Sequence, residues 1–324
     1  MKTISVVISV YNEEQILPAF YKEITNILLS CPCNYELIFV NDGSIDGSIR
    51  ILKEFAAKDS NVKVINFSKN FGHEAAMIAG IDYCIGDGVI CMDSDLQHPP
   101  RLILDIIDKF EKGYEVINMV RTQNIDAGLL KNVTSKLFYK VLNLMSPVKF
   151  ENNASDFFAM TNNVALILKT EYREHMRFLR GYVQVLGFEK TSIHYKAEVR
   201  RAGESKYSMK KLLHFSVNAL TSFSDLPLKL GIYSGVIVGV FGLILMIYTL
   251  YTKYKYNAPN GYATIIVAMC FMFALLFFII GIIGQYISII FAEIKDRPIY
   301  TVRETINMDS EQLSQIVEHT SKKK

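Results

Sequence analysis

The chain has 324 residues, 50% of them hydrophobic, and a formal net charge of +3. That length allows one or two domains with a large buried core. A charge so near balance excludes the global basic field of a nucleic-acid binder, so no nucleic-acid partner is expected. Five scattered cysteines, Cys31, Cys33, Cys84, Cys91 and Cys270, lack zinc spacing and read as reduced thiols of a cytosolic domain.

The first apolar run, Ile4 to Val10, leads into Glu13 and Glu14 without a small-residue cleavage site, so it reads as a strand and not a secretory signal. Similar β-branched runs recur at Leu37 to Val40, Val62 to Phe67, Val89 to Met92 and Val116 to Val120. Between them, helical periodicity covers Gln15 to Leu29, Ser48 to Ala57 and Arg101 to Phe110. This alternation predicts an α/β fold with a mostly parallel sheet covered on both faces. Ligands of such sheets bind outside the carboxyl ends of the strands.

The residues after the strands are polar in a pattern: "YNEE" (Tyr11 to Glu14), "NDGSIDGS" (Asn41 to Ser48), "SKNFGHEAA" (Ser68 to Ala76) and "DSD" (Asp93 to Asp95). Any one of these could be only a turn or a helix cap. Four on one edge predict a binding site. No Gly-x-Gly-x-x-Gly follows the first strand and no Gly-Lys-Ser/Thr loop occurs, which removes the main support for a dinucleotide oxidoreductase or a P-loop hydrolase. Asp93 and Asp95 flank one residue and suit a hard divalent cation, Mg2+ or Mn2+, that carries a nucleoside diphosphate. His73 and His98 lie nearby without a second His or Cys at zinc spacing, so hydrogen bonding is their expected role.

Near the C-terminus, Leu230 to Thr252 and Asn257 to Ala292 carry no charge, and each is long enough to cross a hydrocarbon core of roughly 30 Å as a helix. The short connection, Lys253 to Gly261, makes them a two-span hairpin. Arg200, Arg201, Lys206, Lys210, Lys211 and Lys229 precede it and Lys295, Arg297 and Lys322 to Lys324 follow it, so the bulk of the chain is expected on the cytoplasmic face. Ser208 to Phe223 reads as an amphipathic helix in the interface or packed on the catalytic domain. The expected organisation is a catalytic domain over residues 1–207, a juxtamembrane segment over 208–229, the hairpin over 230–292 and a cytoplasmic tail over 293–324.

The ordered set "SVVISVYNEE", "FVNDGSIDGS", "NFGHEAAMIAG", "MDSDLQHPP", "FLRGYVQVLGF", "RRAGESKYSMKKLL" and "TSFSDLPLKL", followed by the hairpin, resembles the membrane-anchored glycosyltransferases of family 2 that act on polyprenyl phosphate. These are related to dolichyl-phosphate mannose and glucose synthases. The resemblance covers nearly the whole chain. It implies a GT-A fold with Tyr11, Asn12, Glu13, Asp42, Asp93 and Ser94 around the nucleotide, and Asp93 and Asp95 at the metal. It also implies that Asp156, in "ASDFFAM", faces the acceptor, an undecaprenyl or dolichyl phosphate. Two arginines usual in the family are replaced here by Phe158 and Ala197, which leaves Arg200, Ser205 and Lys206 as acceptor-phosphate residues. A homo-oligomer, tetrameric by resemblance, is implied as well. Glucose is the first candidate sugar, with N-acetylglucosamine, galactose and mannose open. The competing reading is a catalytically silent nucleotide-binding partner subunit in the membrane.

Overall fold

Strand and helix alternate through β1 (Thr3–Val10), α1 (Leu17–Leu28), β2 (Asn34–Asn41), α2 (Ser48–Lys58), β3 (Val62–Phe67), α3 (His73–Tyr83), β4 (Gly88–Asp93), α4 (Leu102–Glu111) and β5 (Val116–Arg121). They are followed by β6 (Ala154–Thr161), α5 (Asn162–Thr170), α6 (Leu179–Val185), β7 (Lys190–Tyr195), α7 (Leu226–Tyr256), α8 (Tyr262–Ile294) and β8 (Val302–Ile306). The structure is a computed structural model and describes residues 2–122, 151, 154–174, 178–196, 226–256 and 262–308. Its described residues fall into two compact units, one bounded as Met1–Met209 with Pro298–Lys324 and the other as Lys210–Arg297.

In the first unit, eight described strands form one sheet in the order β7-β5-β6-β4-β1-β2-β3-β8. Four of the seven strand pairings are parallel, so the sheet is mostly parallel as expected, and its carboxyl-end rule applies. The amphipathic helices explain one layer. Leu17, Phe20, Ile24 and Leu28 of α1 recur at helical spacing and are buried, as are Ile103, Ile106, Ile107 and Phe110 of α4. Together with Leu52 and Phe55 of α2 they close over Ile4, Val6, Ile8 and Phe39 of the sheet.

The opposite layer contains α3, which carries no stripe because every residue from Ala75 to Tyr83 is buried. It packs on β1 and β2 and against α5. The approach to β1 is close: a Cβ at Gly80 would stand 2.1 Å from Val7 Cγ1. Four of the nine residues of the polar run "SKNFGHEAA" are helical, since α3 begins at His73.

Two strands alter the expected plan. β6 runs antiparallel between β4 and β5, and β8 returns after α8 to pair antiparallel with the β3 edge. Part of the expected tail is thus a strand of the catalytic sheet.

The second unit contains α7 and α8, which contact each other. Their apolar side chains are exposed, Ile237 at 68% and Phe277 at 67%. Among the described residues one stretch, Phe271–Ile294, is long and apolar enough to cross a membrane, and Gly231–Leu245 is apolar but shorter. The expected interfacial helix at Ser208 to Phe223 lies outside the described residues.

Candidate active site

The parallel strands β1, β2, β3 and β4 end at one edge, and the loops foreseen there meet. The loop after β1 is joined to the loop after β2: Asn12 N–H donates to Ser44 Oγ, Ile45 N–H to Asn12 Oδ1 and Glu13 N–H to Ser48 Oγ, each at 2.9 Å. Asn12 adopts a left-handed φ of 54°, which asparagine tolerates better than most residues. The Asn12 side chain therefore ties the loops together, with half-buried Tyr11 beside it.

Asp42 is buried at the end of β2 and organises the loop after β3. Its carboxylate accepts Phe71 N–H (2.6 Å), Gly72 N–H (3.0 Å) and Asn70 Nδ2 (2.9 Å). Burial raises its pKa, and these backbone donors work against that rise. Glycine is required next to it: Gly43 has φ +65°, and a Cβ there would stand 2.3 Å from the Lys69 carbonyl carbon.

Asp93 ends β4 with a partly exposed carboxylate. Oδ1 accepts from Ser9 Oγ at 3.2 Å and lies 3.5 Å from His73 Nδ1, while Asp93 N–H donates to His98 Nδ1 at 2.9 Å. Ser94 turns inward and donates to Ser9 O (3.2 Å). Asp95 Oδ1 accepts Gln97 N–H (3.0 Å), an Asx turn that fixes the carboxylate two residues from Asp93. Both histidines act through hydrogen bonds. Nearby carboxylates, Asp93 first, overcome burial and raise His73, whereas burial and Arg121 push His98 well below its usual range and keep it neutral.

Asp156 reaches the site from β6. Cys91 pairs with Phe158 at the end of the antiparallel ladder, and beyond it the Asp156 carboxylate lies near enough to act on Asp93. Burial alone would raise the Asp156 carboxyl, but Arg180 first, then His73 and Arg121, hold it below its usual value. Arg180 Nη1 is 3.4 Å from Asp156 Oδ1. Arg121 ends β5, donates through Nε to Tyr195 Oη (3.1 Å) and places Nη2 3.0 Å from His98 Nε2. Glu74 at the start of α3 accepts Leu179 N–H (3.1 Å), which anchors the turn that carries Arg180.

Arg121, Arg180, Glu74 and Ser9 are absent from the residues expected from sequence. Extending the carboxyl-end rule to the fifth strand gives Arg121 directly. Arg180 stands inside the quoted "FLRGYVQVLGF", but only the fold brings it to Asp156. Phe158 is buried, so the cations beside Asp156 come from α6 and β5. Arg200, Ser205, Lys206 and Ala197 lie outside the described residues.

The carboxylates fit a divalent cation. Burial is the main cause that pushes Asp93 up to about 6; His73 opposes the rise, and Asp95 and Asp156 add to it. A site with such crowding of negative charge gains from a cation. Among the described residues no three of His, Cys, Asp and Glu are grouped to hold a metal alone. A pair of carboxylates with phosphate oxygens and water is the donor set of an Mg2+-type site.

The sequence description of glycosyl transferase family 2 matches residues 5–175, which carry all of these loops as well as Asp156. The chain belongs to glycosyl transferase family 2. A second match, the GtrB C-terminal hairpin, covers residues 226–290. An uncharacterized glycosyltransferase, YkcC, of Bacillus subtilis (strain 168) is 39% identical over 95% of this chain and 96% of that protein. A prophage-derived bactoprenol glucosyl transferase of Shigella flexneri is 34% identical over 93% of this chain and 98% of that one. A prophage bactoprenol glucosyl transferase homolog of Escherichia coli (strain K12) is 32% identical over the same shares, 93% and 98%.

Proposed function

We propose that this glycosyltransferase moves a sugar, glucose first among the candidates, from a nucleoside-diphosphate sugar to polyprenyl phosphate at the cytoplasmic membrane face. The carrying observation is the placement of Asp156 and its arginines against the Asp93 end of β4, in a chain similar over nearly its full length to bactoprenol glucosyl transferases. An anionic donor and an anionic acceptor need separate cationic sites. Arg180 and Arg121 lie on the Asp156 side, which supports a phosphate acceptor there.

Asp93 and Asp95 would hold Mg2+ or Mn2+, whose chemistry is to neutralise charge on the departing diphosphate. The loops after β1, β2 and β3 bind and orient the nucleoside end. The acceptor phosphate is a monoester with a second pKa near roughly 6, so it is largely dianionic at neutral pH and needs little deprotonation. Asp156 therefore orients the acceptor or takes a residual proton. A single in-line displacement forms the new C1–O bond as the bond to the diphosphate breaks, with inversion at the sugar. Arg200, Ser205 and Lys206 join this acceptor side in the same reading.

A water-insoluble acceptor accounts for the second unit. β7 before α7 and β8 after α8 belong to one sheet, so the chain between them crosses a membrane an even number of times or not at all. The apolar stretch Phe271–Ile294 then calls for a second span, and α7 with its apolar core Gly231–Leu245 supplies it. The basic residues flanking both ends favour the cytoplasmic side for the catalytic unit.

Radiolabelled nucleotide sugars screened against short-chain polyprenyl phosphates test the reaction. One labelled, lipid-extractable product is the expected result. Nucleotide binding with no lipid product from any donor would return the silent-subunit reading.

A further inference from the structure

The segment after α8 ties itself to the donor side of the site. Tyr300 stacks on Phe67, with ring centroids 5.2 Å apart and planes at 11°, and donates its hydroxyl to Asp82 Oδ2 at 2.7 Å. The other Asp82 oxygen accepts Arg173 Nη1 at 2.7 Å. Burial, reinforced by Asp82, pushes the Tyr300 hydroxyl well above its usual pKa range, so it stays a proton donor. Next along the chain, Thr301 O accepts Ser68 N–H at 3.0 Å.

Glu304 on β8 adds a second tie. It pairs with Lys53 at 2.8 Å and accepts Asn66 Nδ2 at 2.9 Å; Asn66 Oδ1 in turn accepts Asn41 Nδ2 at 2.8 Å. Asn41 is the last residue of β2 and precedes Asp42.

The first tie ends on Phe67 and Ser68, at the head of the loop Ser68–Gly72, and the second on Asn41, next in the chain to Asp42. The loop gives Ser68 N–H to Thr301 at one end and Phe71 and Gly72 N–H to Asp42 at the other. Phe71 also meets Phe67 edge-on, with centroids 5.6 Å apart, and Phe67 carries the Tyr300 ring on another side. The backbone-to-backbone approach of Gly43 to Lys69 leaves this loop little room to shift without moving the β2 end.

We propose that Tyr300 to Glu304 is a positioning strap for the donor pocket: it orders the Ser68–Gly72 loop and Asp42, so that nucleotide affinity depends on residues that come after the membrane hairpin. The inference rests on the reading of these loops as the nucleotide site. Its residues touch no substrate and act through Phe67, Asn66 and Asn41.

The test uses the full-length protein in detergent, with UDP and GDP in turn as calorimetric probes in the presence of Mg2+, beside hydrogen exchange of the Ser68–Gly72 amides. Tyr300→Ala and Glu304→Ala are expected to raise the nucleotide Kd by about fivefold or more, the factor of one lost hydrogen bond, and to speed exchange at Phe71 and Gly72. The KM for polyprenyl phosphate should stay near wild type. Tyr300→Phe keeps the stack on Phe67 and should fall between. Unchanged Kd and unchanged exchange in the folded variants, or a parallel rise in acceptor KM, would overturn the strap. If Tyr300→Ala does not fold, Glu304→Ala at a partly exposed position decides the question. A wild-type protein that binds nucleotide but makes no polyprenyl product overturns the proposed acceptor and leaves the strap standing.

Discussion

Arg180 Nη1 stands 3.4 Å from Asp156 Oδ1, and the pair lies across the β4–β6 ladder from the Asp93 end of the site. The two residues come from different elements, α6 and β6, and neither takes part in the loops after β1, β2 and β3. In the proposed reading, this ion pair marks the acceptor side of the site.

Arg180→Ala should lower transfer while leaving nucleotide Kd within about twofold, because a charge-assisted contact to an acceptor phosphate is worth roughly 1.5–3 kcal/mol. Arg180→Lys should recover part of the loss through its charge and not all of it, since lysine lacks the planar fork. Calorimetry of nucleotide binding beside a lipid-transfer assay separates the two sides. Weaker nucleotide binding with normal acceptor KM would assign Arg180 to the donor.

Asp95→Asn should abolish both transfer and its dependence on divalent metal with the fold intact, because it removes charge but little volume. Asp95 is buried and its Oδ1 holds the Gln97 N–H, a bond that the amide oxygen of asparagine can keep. Activity above about a tenth of wild type would limit the contribution of that charge to roughly 1.4 kcal/mol and remove it from the metal site.

The parallel half of the fold was legible in the sequence because its helices α1, α2 and α4 carry apolar stripes and its strands are short β-branched runs. α3 was not legible as a helix from periodicity, since burial on all sides erases the stripe. β8 escaped because "VRETI" is short and only partly buried, and nothing local says that it pairs with β3 some 240 residues earlier. The same distinction holds at the site. Asp42, Asp93 and Asp95 follow strands in sequence, whereas the Arg180 contact with Asp156 and the Glu304–Asn66–Asn41 chain exist only through tertiary structure.

Gly80→Ala tests the packing of α3. Alanine favours a helix by about 1 kcal/mol over glycine, but the added Cβ would stand 2.1 Å from Val7 Cγ1 in the middle of β1. Overpacking of this kind costs about 1–3 kcal/mol, so a net loss of stability is expected with the site residues unchanged. Thermal unfolding of the purified variant measures it, and a midpoint at or above wild type would mean that α3 can move away from β1 at little cost.

Removing the hairpin should have opposite results depending on whether β8 is kept. A chain that stops before Leu230 loses β8, uncovers Phe67, which is only 2% exposed, and leaves Asp82 without the Tyr300 hydroxyl. Loss of an aromatic pair, about 0.5–1.5 kcal/mol, together with a buried hydrogen bond of about 1 kcal/mol, should lower its thermal midpoint and weaken its hold on nucleotide. Replacing residues 226–297 by a flexible linker while keeping Pro298 to Met308 retains both ties, so this protein should unfold near the wild-type catalytic unit and bind nucleotide normally. It should still turn over long-chain polyprenyl phosphate poorly, because the segment that would meet the lipid is gone. Equal unfolding midpoints and equal nucleotide affinities for the two shortened chains would show that β8 contributes nothing to the sheet that it joins.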